Sequence, residues 1–115
     1  MWVNQNKNID EAFDYIKKAV LLKPNDGSII DSLGWAYYRM GEYDKAVGFL
    51  ERAVELEPTD PTINAHLGDV YEKLGRDSEA MLQWERALGF DPESAEERLR
   101  LRGKINGTET ADSLH

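Results

Sequence analysis

The sequence predicts an all-α fold, a right-handed solenoid of antiparallel helix pairs closed by a C-terminal capping helix. Three observations carry that expectation. Pro24, Pro58 and Pro92 recur at one interval, since 58 − 24 and 92 − 58 both give 34. Ala12, Ala46 and Ala80 repeat the interval, as do Ala19, Ala53 and Ala87. Between the prolines, apolar side chains fall three and four residues apart, the spacing of one helix face rather than of a strand. A fixed period of roughly 20–50 residues is the mark of stacked structural units.

Taken in order, the first unit is partial and spans residues 1–26. Ile9–Lys23 has the pattern of a second helix, with Ala12, Ile16, Ala19 and Pro24 in register. Lys7 stands where a turn glycine is expected and no first helix precedes it, so either the chain is excised from a longer array or an apolar helix face is left uncovered. The unit 27–60 is complete. Ser28–Met40 carries Ile30, Leu33, Tyr37 and Met40 on one stripe, and Gly41 follows at a helix C-terminus, where a left-handed residue is commonly required. Tyr43–Leu56 then presents Ala46, Val47, Leu50, Ala53 and Val54 before Pro58 ends it. The unit 61–94 repeats the scheme with Ile63, Leu67, Val70 and Leu74, then Gly75, then Ala80, Met81, Trp84, Ala87 and Leu88. Gly34, Gly68, Ala46 and Ala53 are small where two helices must cross closely. Residues 95–105 form the capping helix, with Leu101 and Ile105 on its apolar stripe and charge on its outer face. Residues 106–115 lack periodicity and are expected to be a disordered tail. The sequon Asn106-Gly107-Thr108 is too short a match to carry weight.

These residues resemble the tetratricopeptide repeat, whose pattern is W-x2-L-G-x2-Y, then A-x3-F and a closing proline. The middle unit reads Ile30-x2-Leu33-Gly34-x2-Tyr37, then Ala46-x3-Leu50, Ala53 and Pro58. The next reads Asn64-x2-Leu67-Gly68-x2-Tyr71, then Ala80-x3-Trp84, Ala87 and Pro92. Asn64 is the one departure without a bulky apolar group, and it is expected to loosen one contact. The wording Asp31-Ser32-Leu33-Gly34-Trp35-Ala36-Tyr37-Tyr38-Arg39-Met40-Gly41 also resembles C-terminal repeats of bacterial, mainly proteobacterial, members.

The resemblance implies a protein–protein interaction module whose concave groove is lined by the first helix of each unit. The lining positions of the family fall on Ser28, Asp31, Trp35, Tyr38 and Arg39, then on Thr62, Ala65, Asp69, Glu72 and Lys73. The expected partner-binding set is therefore Asp31, Trp35, Tyr38, Arg39, Asp69, Glu72 and Lys73. Trp35 and Tyr38 stand off the packing stripe, and aromatics at a surface are the usual anchors of interfaces. Members that grip the acidic tail of chaperones use lysine, asparagine and arginine here. Asp31, Trp35, Thr62 and His66 replace those residues, so that partner is not expected. Self-association is a second expectation from a different class. Phe13, Ile16 and Val20 form the stripe that a missing first helix would cover, and an uncovered stripe favours weak homo-oligomers or end-to-end stacking.

Composition narrows the other classes. The 115 residues suit one domain, and 41% hydrophobic with 31% charged residues is the balance of a folded protein. A net charge of −8 repels phosphate backbones, so nucleic acid is not an expected partner. The run Arg98, Arg100, Arg102 and Lys104 reads as the solvated side of the last helix. Without cysteine there is no disulfide or thiolate site, and the redox compartment stays open. No apolar run approaches the roughly 20 residues of a membrane span, and Met1–Asn6 does not read as a signal peptide. The only histidines are His66, read as a helix-surface residue, and His115 in the tail. No phosphate loop, metal spacing or nucleophile motif accompanies them, so neither catalysis nor a cofactor is expected.

Overall fold

The computed structural model describes the backbone of residues 2–113 and the side chains of residues 11–107. The described residues form six helices: α1 Trp2–Leu22, α2 Gly27–Arg39, α3 Tyr43–Leu56, α4 Pro61–Lys73, α5 Asp77–Gly89 and α6 Ala95–Ser113. Each helix packs on the next in sequence, and α2 also touches α4, so the first helices of successive units lie side by side. The result is a solenoid of helical hairpins measuring 45 × 33 × 26 Å.

Local chemistry sets the helix ends. Asp26 and Asp60 are extended caps whose Oδ1 atoms accept from Ile29 N–H at 3.1 Å and Ile63 N–H at 3.0 Å. Each cap satisfies one of the donors left open in a first turn. Gly41 and Gly75 adopt φ of 80° and 75°, the left-handed turn that releases the chain into α3 and α5. Asp91 closes α5 with φ 60°, a conformation that aspartate tolerates better than most residues.

Two linked clusters form the core. The larger joins Leu50, Leu67, Val70, Tyr71 and Trp84 with Leu101 and Ile105 of α6, so the capping helix shares the core of the units it covers. The smaller gathers Ile30, Ala53 and Ile63, with Val20 of α1 packed against it. The glycines at the helix crossings are filled by their neighbours. A Cβ on Gly34 would lie 2.7 Å from Leu50 Cγ.

Three expectations change. Asn64 does not loosen its contact: it is fully buried, and its Nδ2 donates to Pro58 O at 3.1 Å and Asp60 O at 2.8 Å. The amide thereby ties the inter-unit turn to α4, a task that tryptophan's single donor could not perform twice. Residues 106–113 are helical, not a disordered tail, because α6 runs to Ser113. Docking of Leu101 and Ile105 supplies the nucleus, and adding turns to a formed helix costs little. Met1, Leu114 and His115 lie outside the described residues. At the other end Lys7 makes no turn, and α1 continues through it from Trp2.

Candidate interaction site

The inner row of first helices is held by polar contacts between units. Asp31 on α2 is buried, and its Oδ1 lies 2.8 Å from His66 Nδ1 on α4. The His66 ring stacks on Trp35, with centroids 3.9 Å apart and planes 16° from parallel. Trp35 stacks in turn on Tyr38 at 4.3 Å and 8°, and Tyr38 meets Tyr43 edge-on at 5.4 Å. Burial, with Asp69 as the next contributor, raises the Tyr38 hydroxyl above the ordinary tyrosine range. His66 is thus a bridging residue between units rather than a surface histidine. The sixth position of one unit faces the fifth and ninth of the unit before it.

One unit further along, the same row is occupied by ion pairs. Asp69 is buried and accepts from Trp84 Nε1 at 3.0 Å and Arg100 Nη1 at 3.2 Å. Arg100 also grips Glu97 in bidentate fashion at 3.0 and 2.7 Å. That grip holds the Glu97 carboxyl below its usual range and the guanidinium above its own. Glu72 meets Lys104 Nζ at 2.7 Å. Asp69 and Glu72, expected as groove residues, are therefore engaged by α5 and α6. Lys73 is exposed and takes no part in these pairs.

The open part of the inner face is a cleft of about 780 Å³ between α1 and α2. Ala12, Phe13 and Ile16 form the α1 wall. The α2 wall is Asp31, Ser32, Trp35, Ala36, Arg39 and Met40, and His66 of α4 completes the lining. Arg39 is exposed, whereas Trp35 is half-buried. Of the residues expected at a groove, the cleft unites Asp31, Trp35 and Arg39, with Tyr38 bracing Trp35 from beside it. Ala12, Ser32, Ala36 and Met40 are additions to the expected groove set, and His66 joins them from the clamp position where the sequence reads a helix-surface residue. They become visible only once α1 is placed against α2.

The expected self-association stripe is divided by the same packing. Val20 is taken up by the Ile30, Ala53 and Ile63 cluster. Phe13 packs edge-on against Tyr37 at 4.9 Å, and with Ile16 it is half-buried at the cleft wall. Among the described residues of α1 the exposed large apolar side chains are instead Tyr15, Leu21 and Leu22, at 73%, 81% and 82% exposure. Among the described residues no helix is long and apolar enough to cross a membrane, and no acid–histidine cluster could hold a metal ion.

A row of hairpins braced across units defines the class: a helical-repeat protein. The chain belongs to the tetratricopeptide repeat family. The family model described as TPR repeat matches residues 34–75, and that described as Tetratricopeptide repeat matches 4–26 and 61–94. The match at 4–26 coincides with α1. A sequence comparison with curated proteins gives no match. Among solved structures, the Yersinia enterocolitica type III secretion translocator chaperone SycD superposes with a TM-score of 0.84 at 20% identity, covering 95% of this chain and 85% of that one. The thermophilic TPR protein TTC0263 of Thermus thermophilus gives 0.74 at 29%, covering 87% and 51%. The first TPR of Spaghetti (RPAP3) bound to the HSP90 peptide SRMEEVD gives 0.76 at 23%, covering 91% and 83%.

Proposed function

We propose that the chain is an interaction module that holds a partner's peptide or helix on its inner face, in the cleft between α1 and α2. The observation that carries the reading is the union, in one open cleft, of apolar walls from Phe13, Ile16, Ala36 and Met40 with a braced aromatic, Trp35. Such a site is mostly apolar with a few fixed polar groups, here Asp31, Arg39 and His66, which is the usual make-up of a recognition surface. Similarly folded proteins have been solved with peptides: SycD with a peptide of the translocator YopD, and Spaghetti with the HSP90 peptide. Because Asp69 and Glu72 are already paired with cations of α6, apolar content decides which segment enters. An apolar segment is favoured over a charged one.

Co-purification from cells that express the chain, comparing the unaltered protein with Trp35→Ala and Ile16→Glu, tests the proposal. One partner lost with both variants supports it. A partner retained by both, with folding intact, overturns it. The exposed Tyr15, Leu21 and Leu22 favour a second reading, assembly of the chain with itself through α1. Light scattering that shows growth with concentration, abolished by Leu21→Glu/Leu22→Glu, would support that reading instead.

A further inference from the structure

His66 and Arg100 stand 34 residues apart, in the same place on α4 and α6, and each bonds a carboxylate from the first helix of the unit before. Arg100 meets Asp69 at 3.2 Å, and His66 meets Asp31 at 2.8 Å. The two pairs differ in what they leave over. A guanidinium has donors alone, whereas a neutral imidazole has one donor nitrogen and one acceptor nitrogen. An ionised Asp31 can only accept, so Nδ1 of the neutral ring carries the hydrogen and Nε2 keeps a bare lone pair. No hydrogen bond takes up that lone pair. Among the described residues the buried side-chain N and O atoms without a partner are Asn64 Oδ1 and Gln83 Oε1, so the unbonded Nε2 is open to solvent. Stacking on Trp35, 3.9 Å away, fixes the ring plane. Both contacts run between α2 and α4, so this geometry belongs to the interior of the array and not to its first helix.

The surroundings decide what can meet that atom. Asp31 is spent on the ring itself. Glu97 of α6, whose carboxyl also feels the His66 charge, is gripped by Arg100. Asp69, three residues along α4, is taken by Trp84 and Arg100, and Trp35 stands between the ring and Tyr38. Arg39 of α2 lines the same inner face and disfavours a cation, while α1 brings Ala12, Phe13 and Ile16, all uncharged. A metal ion would need more ligands, and among the described residues no group of three or more histidine, cysteine or acidic side chains could hold one. We infer, on the basis of the proposed interaction function, that His66 is its recognition residue: Nε2 accepts a hydrogen bond from a neutral donor of the apolar segment, a backbone N–H or a side-chain amide or hydroxyl. The same atom makes the grip proton-dependent, because imidazole takes up its proton roughly between pH 8 and 5. With the ring neutral, Nε2 accepts. With the ring protonated, Nε2 is itself a donor, it opposes the donor of the partner, and the segment is released.

The test uses the full chain with His115→Gln, so that one histidine remains. Proton–nitrogen correlation NMR of the imidazole, with no partner present, should show hydrogen on Nδ1 and none on Nε2 while the ring is neutral. Hydrogen on Nε2 instead would overturn the inference. Capture of the co-purifying partner should fall roughly fivefold or more between about pH 7.5 and pH 5.5. His66→Gln keeps an acceptor that does not titrate, so capture should persist and lose its pH dependence. His66→Arg copies Arg100 and can still bond Asp31, yet it offers no acceptor. It should lose capture at both pH values with its helical signal intact. Leu82→Glu, an exposed site on α5, should behave as the unaltered chain. Undiminished capture by His66→Arg, or a pH dependence that survives His66→Gln, would overturn the inference. A partner released by Trp35→Ala but indifferent to His66→Arg would reject the role of His66 and leave the interaction function standing. No partner held by the unaltered chain at either pH would overturn both.

Discussion

Gly68 and Trp84 compete for one space: a Cβ on Gly68 would stand 2.5 Å from the indole Cδ1. The ring cannot retreat, because its Nε1 is tied to Asp69 at 3.0 Å and the side chain is buried. Gly68→Ala should therefore destabilise the fold by about 1–3 kcal/mol through overpacking, despite alanine's advantage of roughly 1 kcal/mol in helix propensity. Gly48 lies in α3 with nothing near its would-be Cβ, so Gly48→Ala should stabilise by about 0.5–1 kcal/mol. Urea unfolding of the two variants against the unaltered chain checks the contrast.

Asp69, expected from its place in the unit to face a partner, instead accepts from Trp84 and Arg100 inside the array. Its replacement by alanine leaves the buried indole N–H unsatisfied, at a cost of about 1–3 kcal/mol. Thermal unfolding should fall accordingly, with partner capture unchanged once the variant is folded. Lost capture with normal stability would return Asp69 to the binding surface.

The Glu97 carboxyl is depressed below its ordinary value of 4.5, chiefly by its hydrogen bond to Arg100. A depressed folded pKa contributes stability that is present above about pH 4.5 and is lost as pH falls through the folded value. Glu97→Gln should therefore flatten the stability–pH curve in that acidic window and leave its shape above about pH 6 unchanged. Chemical denaturation across the acidic range up to neutrality measures this.

Trp35 is half-buried and stacked between residues of two helices, so its removal has two effects. Loss of two ring contacts, at about 0.5–1.5 kcal/mol each, should lower stability without abolishing the helical signal. Partner affinity should fall by on the order of 1–3 kcal/mol, as for an interface anchor. Unfolding of Trp35→Ala would assign the indole to the core alone.

The 34-residue period and its glycines and prolines make the helix pairs, their order and the small crossing positions legible, because each of those residues answers a local steric demand. The apolar stripe of α6 is legible for the same reason. The site is less so. Asp31, Trp35 and Arg39 can be named from their place in the unit, but the engagement of Asp69 by Trp84 and Arg100 depends on contacts between units. The same holds for the stacking of His66 on Trp35 and the capture of Val20 by the Ile30 cluster. No spacing within one helix encodes those contacts. The length of α6 escapes a local reading because glycine and threonine in residues 103–108 weaken propensity, while the docking of Leu101 and Ile105 that overrides it is tertiary.

The most direct measurement of the central claim is site-specific photo-crosslinking in cells that express the chain. A benzophenone amino acid placed at Arg39, at the mouth of the cleft, is compared with one at Leu82 on α5, which contributes nothing to it. The account predicts a discrete adduct with a partner from position 39 and none from position 82, and loss of the adduct when Ile16→Glu is added. An adduct from position 82 alone, or one from position 39 that survives Ile16→Glu in a folded protein, would contradict it.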